Sequence, residues 1–386
     1  MFRNGWGILA LLMAPGTTPA DCFSLPWSPE EVYDRLQGAA GRADLSRLLG
    51  RAIGIPDWVA FRRQVESAER CGVTLLPWCD PGYPDAFTHI AQPPPLLFVR
   101  GYTDSLGVCG VAVVGTRRPS PGGIALARRL GRDLSRAGIT VVSGLARGID
   151  TAAHLGALGG PGRGIAVLGT GIDVSYPAEN AGLATDVCRN GCLVSEQWMG
   201  TPPSRHVFPR RNRLISALAH AVIVVEGSLR SGAMITARWA LEQGRDVGAV
   251  PGFPGDFRSR GPNQLLREGA FLVEGVADVF DAIPRLRPPD RRDDKSGNPS
   301  RGPAAAVPLC VPEGTPGAEI RTVVGCLGVH PVSADEIANA SGLGVASVQR
   351  ALAWLEVEGI VRRDDGHRFA RIDGLDGETE SAPTSN

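Results

Sequence analysis

Four arginines, Arg205, Arg210, Arg211 and Arg213, surround one aromatic ring, Phe208, and one amide, Asn212, with no acidic residue before Glu226. Guanidinium groups fork onto phosphate oxygens, and an aromatic face stacks a base at roughly 1–3 kcal/mol. These residue types at this spacing predict a polyanion ligand, with arginines on phosphates and Phe208 under a base. Downstream, Ser228–Gly232 joins a predicted strand to a predicted helix. Small residues such as Ser231 and Gly232 at such a turn leave backbone N–H groups at a helix N-terminus, where an anion is favoured. Two further small-residue loops carry positive charge: Gly115-Thr116-Arg117-Arg118, and Ser143-Gly144 leading to Arg147.

Other chemistries are thinly supplied. Gly169-Thr-Gly171 lacks a third glycine at Val174, so it is not a dinucleotide fingerprint, and there is no GxxxxGK[ST] phosphate loop. Asp150 and His154 share a helix face at i and i+4 but have no third ligand, so a structural hydrogen bond is expected and no metal or cofactor. Glu226, at a predicted strand end beside Ser231-Gly232, is the one candidate for nucleotide or N-glycosidic hydrolysis. It lacks a partner acid or a nucleophile–base pair, so a non-enzymatic binder is the expectation. An interaction scaffold working through its end domains is a third reading.

The elements that hold these loops are legible as period changes. From about 107 to 283, short β-branched runs alternate with helical patterns, which predicts a parallel α/β sheet. The strands read as Val111–Val114, Ile139–Val142, Ile165–Leu168, Leu193–Ser195, Ala221–Val225, Val247–Val250 and Phe271–Val273. Several end in glycine or small polar residues, and ligands of open α/β sheets bind at the carboxyl ends of the strands. Residues 1–95 read as mostly helical, with helices ending before Pro15-Gly16, from Ser28 to Leu36, and from Asp57 to Cys71. Residues 284–316 read as a linker rich in Pro, Arg, Gly, Asp and Ser. Beyond it a Ser333–Glu336 capping box, a helix from Val345 and two short strands predict a winged-helix domain over 317–373, and 374–386 a disordered tail.

Composition sets limits on this reading. Forty basic and forty acidic residues cancel, so any nucleic-acid site must be a local patch rather than a basic surface. Lys295 is the only lysine, which leaves arginine to supply almost every positive charge. Eight cysteines without a CxxC pair predict reduced thiols in a cytoplasmic protein. The apolar run Ile8–Ala14 is read as an amphipathic helix, and no other stretch is long enough to span a membrane.

The ordered motifs carry a resemblance. Val113–Ser120, Ser143–Asp150 with Ala153-His154, and Ala166–Asp173 with Tyr176–Asn180 resemble the bacterial DNA-processing protein A family (DprA, also called Smf). Phe208–Arg213, Val225-Glu226, Ser231–Thr236 and Val250–Gly252 extend the match in the same order. The resemblance implies an extended Rossmann-like domain over 96–283 between a helical N-terminal domain and a C-terminal winged-helix domain. It also implies a homodimer that binds single-stranded DNA and hands it to the RecA recombinase in natural transformation. Family binding positions fall on Arg117, Arg205, Phe208 and Asn212, with Arg205 standing where many relatives have lysine.

Overall fold

Alternation within single strands decides which layer each residue joins. In the strand Gly110–Val114, Val111 and Val113 pack into one apolar cluster while Ala112 and Val114 pack into another. Successive side chains of a strand point to opposite faces, so a run that is apolar throughout must be covered on both sides. Each buried Val, Leu or Ile contributes roughly 1.5–3 kcal/mol relative to exposure.

The computed structural model describes residues 5–107, 110–287, 320, 322–323, 326–327, 332–357, 361–363 and 368–371. The first helices are α1 (Trp6–Leu12), α2 (Pro29–Gln37), α3 (Ala39–Leu49) and α4 (Trp58–Arg70). The strand β1 (Val73–Pro77), the short α5 (Asp85–Thr88) and β2 (Leu96–Gly101) follow. The alternating part runs β3 (Gly110–Val114), α6 (Pro121–Arg136), β4 (Thr140–Ser143), α7 (Ile149–Ala157), β5 (Gly164–Leu168), α8 (Ala181–Asn190) and β6 (Cys192–Ser195). It continues with α9 (Val207–Ala217), β7 (Ala221–Val224), α10 (Gly232–Glu242), β8 (Asp246–Ala249), α11 (Arg260–Arg267), β9 (Phe271–Leu272) and α12 (Val276–Ala282).

These strands form one nine-stranded sheet in the order β1-β2-β6-β5-β4-β3-β7-β8-β9. From β6 to β9 every pairing is parallel, as expected. Both β1 and β2 run antiparallel to their neighbours, β2 pairing Phe98 with Ser195 of β6. Residues 1–95, read as helical, thus also supply a sheet strand, because Val73–Pro77 is an apolar run too short for periodicity to assign. The N-terminal helices share a cluster with β1, β2, β5, β6 and α8, and residues 1–293 form one compact unit. Gln64 of α4 ties that layer to the loop after β6, donating to the Met199 carbonyl and accepting from its N–H.

Local signals explain where helices begin. Ser28 caps α2 in a reciprocal box with Glu31, and the Asp57 carboxylate caps α4. In α1, Gly7–Leu11 are buried, and no helix among the described residues is long and apolar enough to cross a membrane.

Residues 294–386 form the second unit. There β10 (Val332–Ser333), α13 (Ala334–Ser341), α14 (Val345–Val357), β11 (Val361–Arg363) and β12 (Arg368–Arg371) make a winged-helix arrangement with the sheet order β10-β12-β11. The Ser333–Glu336 capping box forms as expected. Most of the expected linker and all of the expected tail lie outside the described residues.

Candidate nucleic-acid interface

The parallel strands all deliver their following loops to one edge. At that edge a shallow crevice is lined by Arg117, Gly144, Ala146, Arg147, Tyr176, Pro177, Phe208 and Arg211. The lining comes from the loops after β3, β4 and β5 and from the start of α9. Strand ends expose backbone while helix starts leave N–H groups unpaired, which is why this edge suits a ligand.

Phe208 is the centre of the crevice. Its ring stands 5.6 Å, centroid to centroid, from Tyr176 at an interplanar angle of 32°. The Arg117 guanidinium lies 5.3 Å from the Phe208 ring centroid. A Cβ on Gly169, at the end of β5, would lie 2.9 Å from Phe208 Cδ1, so the glycine leaves the room that the ring takes. Arg117, Arg118, Arg205 and Arg210 are exposed, and among the described residues none of them is ion-paired to a carboxylate. Thr116 is fixed beneath them, its N–H donating to the Glu226 carbonyl at 2.7 Å and its hydroxyl accepting from Arg118 N. Gly115 serves packing, because a Cβ there would overlap the Ile149 side chain of α7.

Arg147 also reaches the crevice, but Glu179 holds it with Nε–Oε1 2.6 Å and Nη2–Oε2 2.8 Å. Each partner favours the charged form of the other, so Glu179 titrates below and Arg147 above its usual range. One of the arginines lining the crevice is therefore already paired with a carboxylate from outside that lining.

Three residues expected to touch ligand are buried and bonded within the fold, Arg211 among them at the floor of the crevice that it lines. Arg211 is 5% and Arg213 4% exposed, and Asn212 is buried with them. Arg211 Nη1 donates to the Gly144 carbonyl at 2.9 Å and to the Val167 carbonyl, joining the ends of β4 and β5 from below the crevice. Asn212 Nδ2 donates to the Gly232 carbonyl at 3.1 Å, joining α9 to the start of α10. Arg213 forms a two-bond pair with Glu196, at 2.6 and 3.1 Å. The reason is geometric. A helix turns about 100° per residue, and α9 passes from the sheet edge into the protein within its first turn. A charge run that looks continuous in sequence is thereby split between solvent and core.

Beneath Arg211 lies a buried group of titratable side chains from α7. The Asp150 carboxylate accepts from Gly144 N at 3.1 Å and Ala146 N at 3.4 Å. Burial pushes Asp150 up, while the Arg211 charge and the amide donors pull it back. Burial also brings Arg211 down to about 10, with Asp150 opposing. His154 is brought down to about 4 by burial, with Arg211 adding to the effect, and neither ring nitrogen has a partner among the described residues. The expected structural hydrogen bonding is thus made by Asp150, whereas the His154 ring takes no part in it. Among the described residues no group of three ligating side chains could hold a metal ion.

Glu226 has a structural task. Its carboxylate accepts from Ser120 N at 2.9 Å and from the Ser120 hydroxyl, where α6 begins. Negative charge at a helix N-terminus is favourable, so Glu226 caps α6 from the end of β7. Ser231 caps α10 in position only: its N–H is used by the Ser228 carbonyl and its hydroxyl is buried without a partner among the described residues. Ser231 and Gly232 do not line the crevice. Sequence reasoning missed Tyr176, which lines the crevice, and Glu179, which pairs with Arg147 there, although both stand in the Tyr176–Asn180 motif. An aromatic in a loop after a strand was the available signal.

A family model described as DNA recombination-mediator protein A matches residues 74–284, and one described as the DprA winged helix domain matches 311–367. Protein Smf of Synechocystis sp. is 35% identical over 312 residues, covering 76% of this chain and 78% of its own. DNA processing protein DprA of Streptococcus pneumoniae is 44% identical over 201 residues, covering 52% and 71%. The crystal structure of the Streptococcus pneumoniae protein aligns with a TM-score of 0.57 at 33% identity, covering 72% of this chain and 93% of that one. A structure of DNA processing protein A from Helicobacter pylori, described by its single-stranded DNA binding mode, aligns at 0.51 and 30% identity, covering 56% and 97%.

Proposed function

The chain belongs to the DNA recombination-mediator protein A family, and on that footing we propose that it binds single-stranded DNA along the carboxyl edge of its sheet. The observation that carries the reading is Phe208, a partly exposed ring flanked by Tyr176 and by the exposed Arg117, which has no carboxylate partner among the described residues. A duplex hides its base faces, whereas a single strand offers each base to an aromatic ring and its phosphates to the flanking charges. Recognition is by backbone charge and stacking, with little dependence on sequence. The same reading carries a homodimer that processes incoming DNA in the cytoplasm during transformation and delivers it to RecA. It is a binding function, and Glu226, the carboxylate suited to hydrolysis, is engaged at the start of α6.

Equilibrium binding of a fluorescent oligothymidylate and a duplex of equal length, at two salt concentrations, tests the reading. The single strand is expected to bind more tightly, with affinity falling steeply as salt rises. Equal or tighter duplex binding overturns it.

A further inference from the structure

Two phenylalanines stand far out of the fold on the same edge of the sheet, away from the crevice. Phe253 is 78% and Phe257 57% exposed, both on the loop that follows β8. The loop is not loose. Gly252 N donates to Asn263 Oδ1 at 3.1 Å, and Asn263 Nδ2 returns a bond to the Gly252 carbonyl at 2.8 Å. At the far end the Arg258 carbonyl accepts from Gly227 N in the loop after β7, and Asp256 clamps the Arg258 guanidinium. The loop is thus pinned to α11 on one side and to its neighbouring loop on the other, with both rings left outside the core.

Charge accompanies the rings. Arg230 and Arg260, in the two adjoining segments, are exposed, and the Arg258 guanidinium lies 5.5 Å from the Phe257 ring centroid. Exposed aromatics interleaved with arginines repeat the composition around Phe208. Sheet order sets the separation: β8 lies four strand spacings from β5, whose end supports Phe208, or about 19 Å. A strand seated on Phe208 and running over the ends of β4, β3 and β7 arrives at this loop.

We propose that Phe253 and Phe257 form a second stacking platform, which takes the bases of a single strand whose other end occupies the Phe208 crevice. The proposal rests on the single-stranded DNA reading above and extends it by giving the site a length and a direction across the sheet.

The test uses the full chain and oligothymidylates from about 4 to about 16 nucleotides, a range that spans known single-strand site sizes. Wild type is compared with Phe208→Ala, with the double variant Phe253→Ala/Phe257→Ala, and with Phe253→Tyr/Phe257→Tyr, which keeps two aromatic faces. The double alanine variant is expected to bind the shortest strand as wild type does and the longest roughly tenfold more weakly. Its salt slope should be unchanged, and the tyrosine pair should restore affinity. Unchanged affinity at every length overturns the platform while leaving the crevice intact. An equal loss at every length also overturns it, since the loop would then act through the fold. If wild type fails to bind any strand, or Phe208→Ala binds all lengths as wild type does, the single-stranded DNA reading falls and the platform falls with it. A loop variant that changes only the sedimentation coefficient assigns the rings to contacts between copies of the chain and overturns the proposal.

Discussion

Arg211 and Gly144 are fitted to each other: a Cβ on Gly144 would stand 2.5 Å from Arg211 Nη2, in the space the guanidinium occupies. The same guanidinium holds the Gly144 carbonyl, so the loop after β4 takes its position from a buried side chain of α9. A residue that reads as a phosphate contact is therefore a positioning residue for the crevice above it.

Arg211→Ala is expected to destabilise the protein by roughly 3 kcal/mol, because it leaves two strand-end carbonyls unbonded and Asp150 without its neighbouring charge. A lower urea midpoint checks the stability. In the folded fraction the salt dependence of DNA binding should not change, since a buried arginine releases no counterion.

Arg117→Ala and Phe208→Ala separate charge from stacking. Arg117 is exposed, so its loss should weaken single-strand binding and make the salt slope shallower by roughly 0.7. Phe208→Ala should lose roughly 1–3 kcal/mol of affinity with the slope unchanged. Titrations at several salt concentrations distinguish them, and indistinguishable slopes would sink the division.

Glu179→Gln should bind single-stranded DNA more tightly and with a steeper salt slope than wild type. Arg147 is held by Glu179 in a two-bond pair at the crevice, and neutralising the carboxylate frees that arginine for phosphate. Weaker binding would mean that the pair orders the loop.

Stability should fall with acidification through a window set by His154. The folded chain keeps this buried ring neutral down to about pH 4, because burial opposes the charge. The unfolded chain takes up the proton at about pH 6.5. Between these values the unfolded state binds more protons, so stability is full above about 6.5 and declines as pH drops towards 4. The contribution is roughly 3 kcal/mol. The half-buried His220, also lowered by burial, acts in the same direction. His154→Leu should flatten the pH dependence of urea unfolding across this window, and an unaltered slope would assign it to other groups.

Strand and helix identity in the central domain was written in the residues themselves. Continuous β-branched runs such as Ala221–Val224 specify strands covered on both faces, and the parallel core from β3 to β9 follows from their alternation with helices. The ordered motifs also determined the family, and the one-residue local signal of Ser333 with Glu336 determined a helix start. Partner choice was decided only by the tertiary structure. Nothing in the sequence says that β2 runs antiparallel beside β6, because that pairing joins residues far apart in the chain. Nor does spacing show that Arg210 faces solvent while Arg211 and Arg213 carry the ends of β4 and β5 and the charge of Glu196. From Arg211 to Ala217 every residue of α9 is buried, so the split follows from the point at which the helix enters the core, and only the packing of the helix against the sheet fixes that point.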